Sequence, residues 1–424
     1  MTRLFHLLFV LAAGSIFLFG ADLLDNVGWK YSSDAGSIFT RMHPGTYLIV
    51  AATCIAVSQY PGKILRTLKS GPFIFFNIAA FILLIRAILI TMAGVTSGEL
   101  TTVITNFFTP SMIYICARCL STDELRAFET PMRIFIALNS LIGIGERLVG
   151  HRLIHGFMDT TRDPRSTAFV AHPLNASLLT GLIIIYLVSA RRGQTSITRR
   201  LPELILHSVA MFAFGGRSAL VFTPVVLILS SVAARREAGQ ADLTWLQRAL
   251  PAILVLVGLT LVFLPLPFVD ATLDRFTNDL NSAQQRNSAI EILMQVSGQD
   301  LLWGINVLER EAFAKFHSGV AIELCWVALT LTYGFIAVLP MMVGLPLFLF
   351  RISQALDRSA FYMACFFMLV TAGSLSIGVK SLLIPQCVLM MLFLAQRRYV
   401  ARAGAMFQQF YKSGAEPADL KRSS

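Results

Sequence analysis

Apolar residues run along this chain in long stretches broken by short polar joints, a pattern that predicts helices crossing a membrane. The runs fall at Leu4–Gly20, Tyr47–Tyr60, Pro72–Ala93, Thr101–Cys119, Pro131–Gly145 and Ala168–Ala190. Leu201–Phe214, Ser218–Ala234, Leu250–Phe268, Phe335–Phe350, Phe361–Gly378 and Leu382–Gln396 continue the series. The expected fold is all-α, a polytopic membrane protein of about 12 transmembrane helices, although several runs are shorter than the roughly 20 residues of a straight crossing. One polar interruption, Val269–Gly334, is far longer than the other joints and must lie outside the hydrocarbon. Arg3 and the run after it have the outline of a signal peptide, but no small-x-small cleavage site follows, so the run is read as the first span. No internal repeat or low-complexity linker is visible. The chain therefore reads as a single domain, residues 1–424, with a large periplasmic loop at 269–318 containing short helices and a basic cytoplasmic tail at 397–424.

Composition strengthens this picture. Of 424 residues, 55% are hydrophobic and 14% charged, against roughly 45–50% and roughly 25% in a soluble domain. The six cysteines, Cys54, Cys116, Cys119, Cys325, Cys365 and Cys387, all sit within or beside apolar runs, where a secreted-type disulfide framework has no place. Cys116-Ala-Arg-Cys119 has metal-ligand spacing but no second ligand pair, and reads as two small packing residues.

The net charge of +11 changes the picture through its distribution. Lys63, Arg66, Lys69, Arg118, Arg126, Arg133, Arg191, Arg192, Arg199, Arg200, Arg235, Arg236, Arg248, Arg351, Arg358, Arg397, Arg398 and Arg402 all fall on one side. The positive-inside bias makes that side the cytoplasm and puts both termini there. Basicity alone therefore implies no nucleic acid. Yet Arg147, Arg152, Arg162 and Arg165, with His151 and His155, fall on the opposite side, as do Arg217 and Arg286. For any one arginine, a lipid-phosphate contact or a solvated charge is an adequate reading. For the set, an anionic ligand at the outer surface is favoured.

Within the polar segment, Ser282-Ala283-Gln284-Gln285 resembles a capping box that opens a helix through Arg286 to Gly298. Leu301–Ile305 is an apolar turn able to dock on the membrane, and Val307–Phe316 is a second helical stretch, followed by His317. Val320–Tyr333 and Phe335–Phe350 together exceed one crossing, so a short helix turning at Gly334 into the next span is expected. His317 beside a wet cavity has the chemistry of a general base for a hydroxyl; a surface histidine at a helix start is the blander reading. Arg86, inside the Pro72–Ala93 run, needs a partner or a cavity, and Glu146 is the expected structural partner. Lys380 is either a further anion contact or a lipid contact, and His172 before Pro173 reads as a helix-entry residue.

Several of these stretches, taken in order, carry a resemblance. Phe214-Gly215-Gly216-Arg217-Ser218-Ala219-Leu220, Arg286, Leu302-Trp303-Gly304-Ile305, His317-Ser318, Glu323 and Tyr333-Gly334 together resemble the O-antigen ligase and exopolysaccharide polymerase family. The stretch Arg165–Asn175, with His172-Pro173-Leu174, is similar to that family's entrance to a middle span, and Met42–Tyr47 is similar to its exopolysaccharide branch. The similarity covers Arg165 to Arg351; His317-Ser318 departs from the family's usual His-Asn. The resemblance implies a metal-independent, cofactor-free glycosyltransferase of the bacterial inner membrane that takes glycan from a polyprenyl diphosphate and joins it to an acceptor hydroxyl. On that reading His317 is the base, while Arg217 and Arg286 stabilise the leaving diphosphate. Arg165, Arg147, Glu323 and Lys380 bind substrate, with Glu323 also able to orient His317. A polymerase of exopolysaccharide or O-antigen is the first expectation, working beside chain-length and export proteins. A ligase delivering glycan to a lipid A core or a protein is the second, and a transporter of lipid-linked glycan the third. No Asp-x-Asp, His-Glu-x-x-His or phosphate-binding glycine loop is present in the sequence.

Overall fold

The computed structural model describes residues 2–31, 37–93, 98–152, 165–170, 172–190, 197–238, 289–305, 324–374 and 377–396. All regular structure among them is helical. The helices are α1 (Thr2–Leu18), α2 (Ala21–Asn26), α3 (Ile38–Arg41), α4 (Pro44–Gln59), α5 (Pro61–Leu68), α6 (Gly71–Met92), α7 (Gly98–Val103), α8 (Thr109–Cys119) and α9 (Thr122–Ala127). They continue with α10 (Glu129–Val149), α11 (Pro173–Ser189), α12 (Ile197–Phe214), α13 (Arg217–Ala238), α14 (Gly298–Trp303), α15 (Cys325–Tyr333), α16 (Phe335–Ala355), α17 (Arg358–Ala372) and α18 (Leu383–Leu394).

Among the described residues, three helices are long and apolar enough to cross a membrane: α6, the run Gly98–Cys119, and α16. The pair α4 and α5 passes the same test only together and is bent by 109°, which makes up to four. Sequence pattern predicts about 12, and the shortfall has more than one source: α10, α12 and α13 have 21, 18 and 22 residues but are not counted as apolar spans, and other helices are short. Thr2–Leu18, Pro173–Ser189, Arg358–Ala372 and Leu383–Leu394 match expected apolar runs but have only 12–17 helical residues. The buried α18, with all 12 residues out of solvent, spans about 18 Å against a hydrocarbon core of about 30 Å. By itself a helix that short does not cross the hydrocarbon. The expected run Leu250–Phe268 and the tail at 397–424 lie outside the described residues.

Two proline effects shape the spans. Pro61 forces Tyr60 out of the helical region, to φ −128°, ψ 45°, and the chain turns there into amphipathic α5, which buries Ile64 and Thr67 and exposes Lys63 and Arg66. Pro110 has no N–H, and its ring would collide with the carbonyl of Asn106 in a regular helix. The chain answers with a π turn over Ile104–Phe108, in which the Thr109 N–H donates to Ile104 O. Within this turn Asn106 is buried and bridges across the bundle. Its Nδ2 donates to Ile377 O (3.1 Å) and Val379 O (2.8 Å), and its Oδ1 accepts from the Ser381 N–H (3.0 Å).

The segment leading into α16 follows the expectation of a short helix broken at Gly334. Helix α15 is buried along nearly its whole length, Gly334 adopts φ +84°, and α16 starts at the next residue. Gly304, at φ +87°, faces it. A Cβ on Gly304 would lie 2.6 Å from Thr332 O, and one on Gly334 only 2.4 Å from Leu302 O. Only glycine permits both that backbone conformation and that approach. The Ile305 N–H donates to Leu331 O (2.7 Å), closing the junction. Ile305 and Leu324 pack on the same small apolar cluster of Ala289, Ile292, Val327, Ala328 and Leu331, so the chain leaves and re-enters the described structure at one place.

Candidate functional site

Helices α10 and α12 lie side by side and point the same way, which fixes where the basic residues gather. Pairs along their length show this: Arg133 with Glu203, the Ser140 hydroxyl with His207 Nδ1 (2.9 Å), and Gly143 against the Phe214 ring, where a Cβ would come within 2.2 Å. Glu146 and Arg147 therefore end up at the same end of the bundle as the Gly215–Gly216–Arg217 turn. Helix α10 stops at Gly150, a left-handed cap at φ +75°.

The segment from Arg165 crosses this end as a tightly held corner. A single oxygen, Glu146 Oε2, accepts from the Thr167 and Ala168 N–H groups, each at 2.9 Å. Asn139 Oδ1 accepts from the Phe169 N–H (3.1 Å), and the Ser166 N–H reaches Ala213 O near the end of α12 (3.5 Å). Arg152 Nε donates to the Arg165 carbonyl (2.9 Å). Ala168 is the one non-glycine residue with positive φ among the described residues, at +48°. Beyond the corner, His172 caps α11: its Nδ1 accepts from the Leu174 N–H (3.3 Å), with Pro173 at the first helical position. This is the helix-entry role expected of it.

Arg217 opens the 22-residue α13 directly after Gly215 (φ +64°) and Gly216. Gly216 sits so close to α11 that a Cβ would meet Ser177 at 2.5 Å. A cation in the first turn of a helix faces the positive end of the helix dipole, an unfavourable place unless an anion joins it. The structure thus places Arg147, Arg152, Arg165 and Arg217 at one lip of the bundle, together with the Glu146 carboxylate. Beneath the lip, the hydroxyls of Ser166, Thr167 and Ser177 and the Asn139 amide nitrogen are buried with no hydrogen-bond partner among the described residues. Sequence reasoning missed Asn139, Ser166, Ser177 and the acceptor role of Glu146. The available signal was Asn139, Gly143 and Glu146 at i, i+4 and i+7, a polar and small stripe on one face of an apolar helix.

The other expected site residues fall as follows. Arg286, His317 and Glu323 lie outside the described residues. Lys380 stands on the loop held by Asn106. Its Nζ donates to the carbonyls of Tyr31 and Arg41, the latter at 3.2 Å, and lies 4.1 Å from the centre of the Tyr31 ring. It thereby ties that loop to the segment before α4. His43, in the stretch similar to the exopolysaccharide branch, caps α4. Its Nδ1 accepts from the Gly45 N–H (3.0 Å), and its Nε2 reaches Phe19 O (2.8 Å), which makes Nε2 the protonated nitrogen. Burial pushes its pKa down to about 4.

One expectation is corrected. Arg86 and Glu146 form no ion pair: the Glu146 carboxylate holds backbone N–H groups of the 165–170 corner, and Arg86 Nε is buried without a hydrogen bond among the described residues. Cys116 and Cys119 are free thiols, and Cys116 bonds to the Thr53 hydroxyl (3.3 Å). No cluster of three or more His, Cys, Asp or Glu side chains able to hold a metal occurs among the described residues.

No family model matches the chain. A search of curated proteins likewise returns no significant match.

Proposed function

We propose that this protein is a membrane glycosyltransferase that polymerises polyprenyl diphosphate-linked oligosaccharide repeat units into exopolysaccharide or O-antigen. The observation that carries the reading is the gathering of Arg147, Arg152, Arg165 and Arg217 at one end of the bundle, with Arg217 at a helix start. Four guanidinium groups and a helix N-terminus suit a diphosphate, which accepts bidentate hydrogen bonds and gains negative charge as it leaves. The resemblance carried by Arg286 and His317 supplies the rest of the proposal. His317 takes the proton of the acceptor sugar hydroxyl as that oxygen attacks the anomeric carbon, the bond from that carbon to the diphosphate oxygen breaks, and configuration inverts. Arg217 and Arg286 receive the departing charge. Glu323 and Lys380 complete the proposed substrate contacts.

The proposal includes an architecture of about 12 spans in the bacterial inner membrane, with the arginine lip facing the periplasm. What supports it is the succession of apolar runs and the one-sided Lys/Arg distribution. Nucleotide sugars are not available on that side, so a lipid-linked donor is the natural one.

The test is elongation by purified protein in nanodiscs, supplied with polyprenyl diphosphate-linked repeat units from the host and no divalent metal. Longer lipid-linked chains, lost in His317→Ala, are expected. Transfer only when a lipid A core or protein acceptor is added would replace polymerase by ligase. Binding with neither reaction would point to lipid transport.

A further inference from the structure

We infer that Glu146 is the positioning residue of the arginine lip, acting through the backbone of the 165–170 corner; this rests on the proposed reading of the lip as an anion site. The corner has reason to move if it is not held. Ala168 is fully buried in a left-handed conformation, which alanine adopts only when its surroundings impose it. The imposition comes from α10: Glu146 Oε2 accepts the two N–H groups at Thr167 and Ala168, and Asn139 Oδ1 accepts the next one, at Phe169. Between those two side chains Gly143 receives the Phe214 ring, three residues before Arg217. One face of α10 therefore fixes both halves of the lip, the corner that begins at Arg165 and the end of α12 that leads to Arg217. Arg152, bonded to the Arg165 carbonyl, ties the far side of the corner. Glu146 needs no contact with ligand in this scheme. It sets where Arg165 stands before a ligand arrives, and the ligand is spared the ordering of that residue.

Geometry and charge make opposite predictions for substitutions, which separates this role from simple electrostatics. One oxygen carries both hydrogen bonds, so the amide oxygen of Glu146→Gln can take its place. Glu146→Asp keeps the charge but withdraws the oxygen by one methylene, out of reach of both N–H groups together. The measurement is affinity for farnesyl diphosphate, used as a short isoprenoid probe, on full-length protein in nanodiscs of phosphatidylcholine. Glu146→Asp is expected to weaken binding about ten-fold, the scale of one charge-assisted hydrogen bond, while Glu146→Gln stays within about two-fold of the wild type. Arg165→Ala should also weaken binding about ten-fold, and Glu146→Asp with Arg165→Ala should bind no worse than Arg165→Ala alone, because the first acts through the second. The inference is overturned if Glu146→Gln loses affinity while Glu146→Asp keeps it, or if the Glu146→Asp and Arg165→Ala losses multiply. It is also overturned if Glu146→Asp binds normally while Arg165→Ala and Arg217→Ala do not. Normal binding by both arginine variants is a separate outcome: it removes the anion-site reading and this inference with it.

Discussion

The two ends of the α10–α12 pair use their carboxylates in opposite ways. At the end where both helices start, Arg133 is enclosed by carboxylates. Its Nη2 donates to Glu203 Oε1 (2.7 Å), its Nε donates to Glu203 Oε2 (3.3 Å), and Glu129 lies 3.8 Å from Nη1 while accepting the Tyr186 hydroxyl (2.6 Å). Other basic residues of the bundle are tied to the chain as well: Arg200 to Leu187 O, Lys63 to Cys119 O and Arg351 to the Ser70 hydroxyl. At the end where the helices finish, the Glu146 carboxylate accepts backbone N–H groups of the 165–170 corner, and Arg152 donates to the Arg165 carbonyl. Charge at the first end is matched for folding. Charge at the second end is, on the proposed reading, offered to a ligand, and the comparison teaches that what a carboxylate is bonded to distinguishes the two ends better than the number of bases.

The comparison breaks most sharply at Arg217. Arg217→Ala should reduce chain elongation about 100-fold, and Arg217→Lys nearly as much, because an ammonium cannot reproduce a bidentate fork on a diphosphate. A fully active lysine variant, measured at equal protein level, would reduce the lip to a diffuse positive charge. Glu203→Ala touches the other end. It should cost about 1–2 kcal/mol of stability, read as a lower unfolding temperature in detergent, since it leaves a half-buried Arg133 with only the more distant Glu129. It should leave farnesyl diphosphate affinity unchanged, and a loss there would show that the two ends are not separable.

A smaller contrast concerns protons. His6, on the Arg133 side, pairs with Glu124 at 2.9 Å in a half-exposed position, whereas His43, on the lip side, is buried. With its pKa lowered from 6.5 to about 4, His43 binds a proton more readily in the unfolded chain than in the folded one. Its contribution is therefore present above pH 6.5 and is lost as pH falls toward 4. Between pH 6.5 and 5.5 the loss is about 1 kcal/mol. His43→Asn keeps a capping side chain and removes the titration, so unfolding temperatures of the variant should fall less with acid than those of the wild type. Identical pH profiles would contradict the buried, neutral assignment.

How much of this was legible in sequence differs by kind of residue. The apolar run Pro72–Ala93 and the observed helix Gly71–Met92 differ by a single residue at each end, since a charge-poor run opened by proline leaves little choice. The break at Gly334 was legible because the apolar stretch around it was too long for one crossing. The 109° turn at Tyr60 and the π turn before Pro110 were not, because each is a local reply to a proline whose outcome depends on what packs against it. In the site, the arginines stood out because the expected span count put them opposite the main Lys/Arg clusters. Glu146 was misassigned for a physical reason: a carboxylate in an apolar helix invites a search for a cation, and backbone N–H groups of a strained corner leave no mark in the sequence. Lys380 was placed near the outer surface, but its ties to the Tyr31 and Arg41 carbonyls come from residues more than 300 positions away, a contact no local pattern encodes.

The most direct measurement compares the affinities of farnesyl diphosphate and farnesol for full-length protein in phosphatidylcholine nanodiscs, in the wild type and in Arg217→Ala. If the arginine lip is a diphosphate site, the wild type binds the diphosphate at least about ten-fold more tightly than the alcohol, and Arg217→Ala removes most of that preference. Equal affinity for the two compounds, or a preference that survives the substitution, would contradict the account.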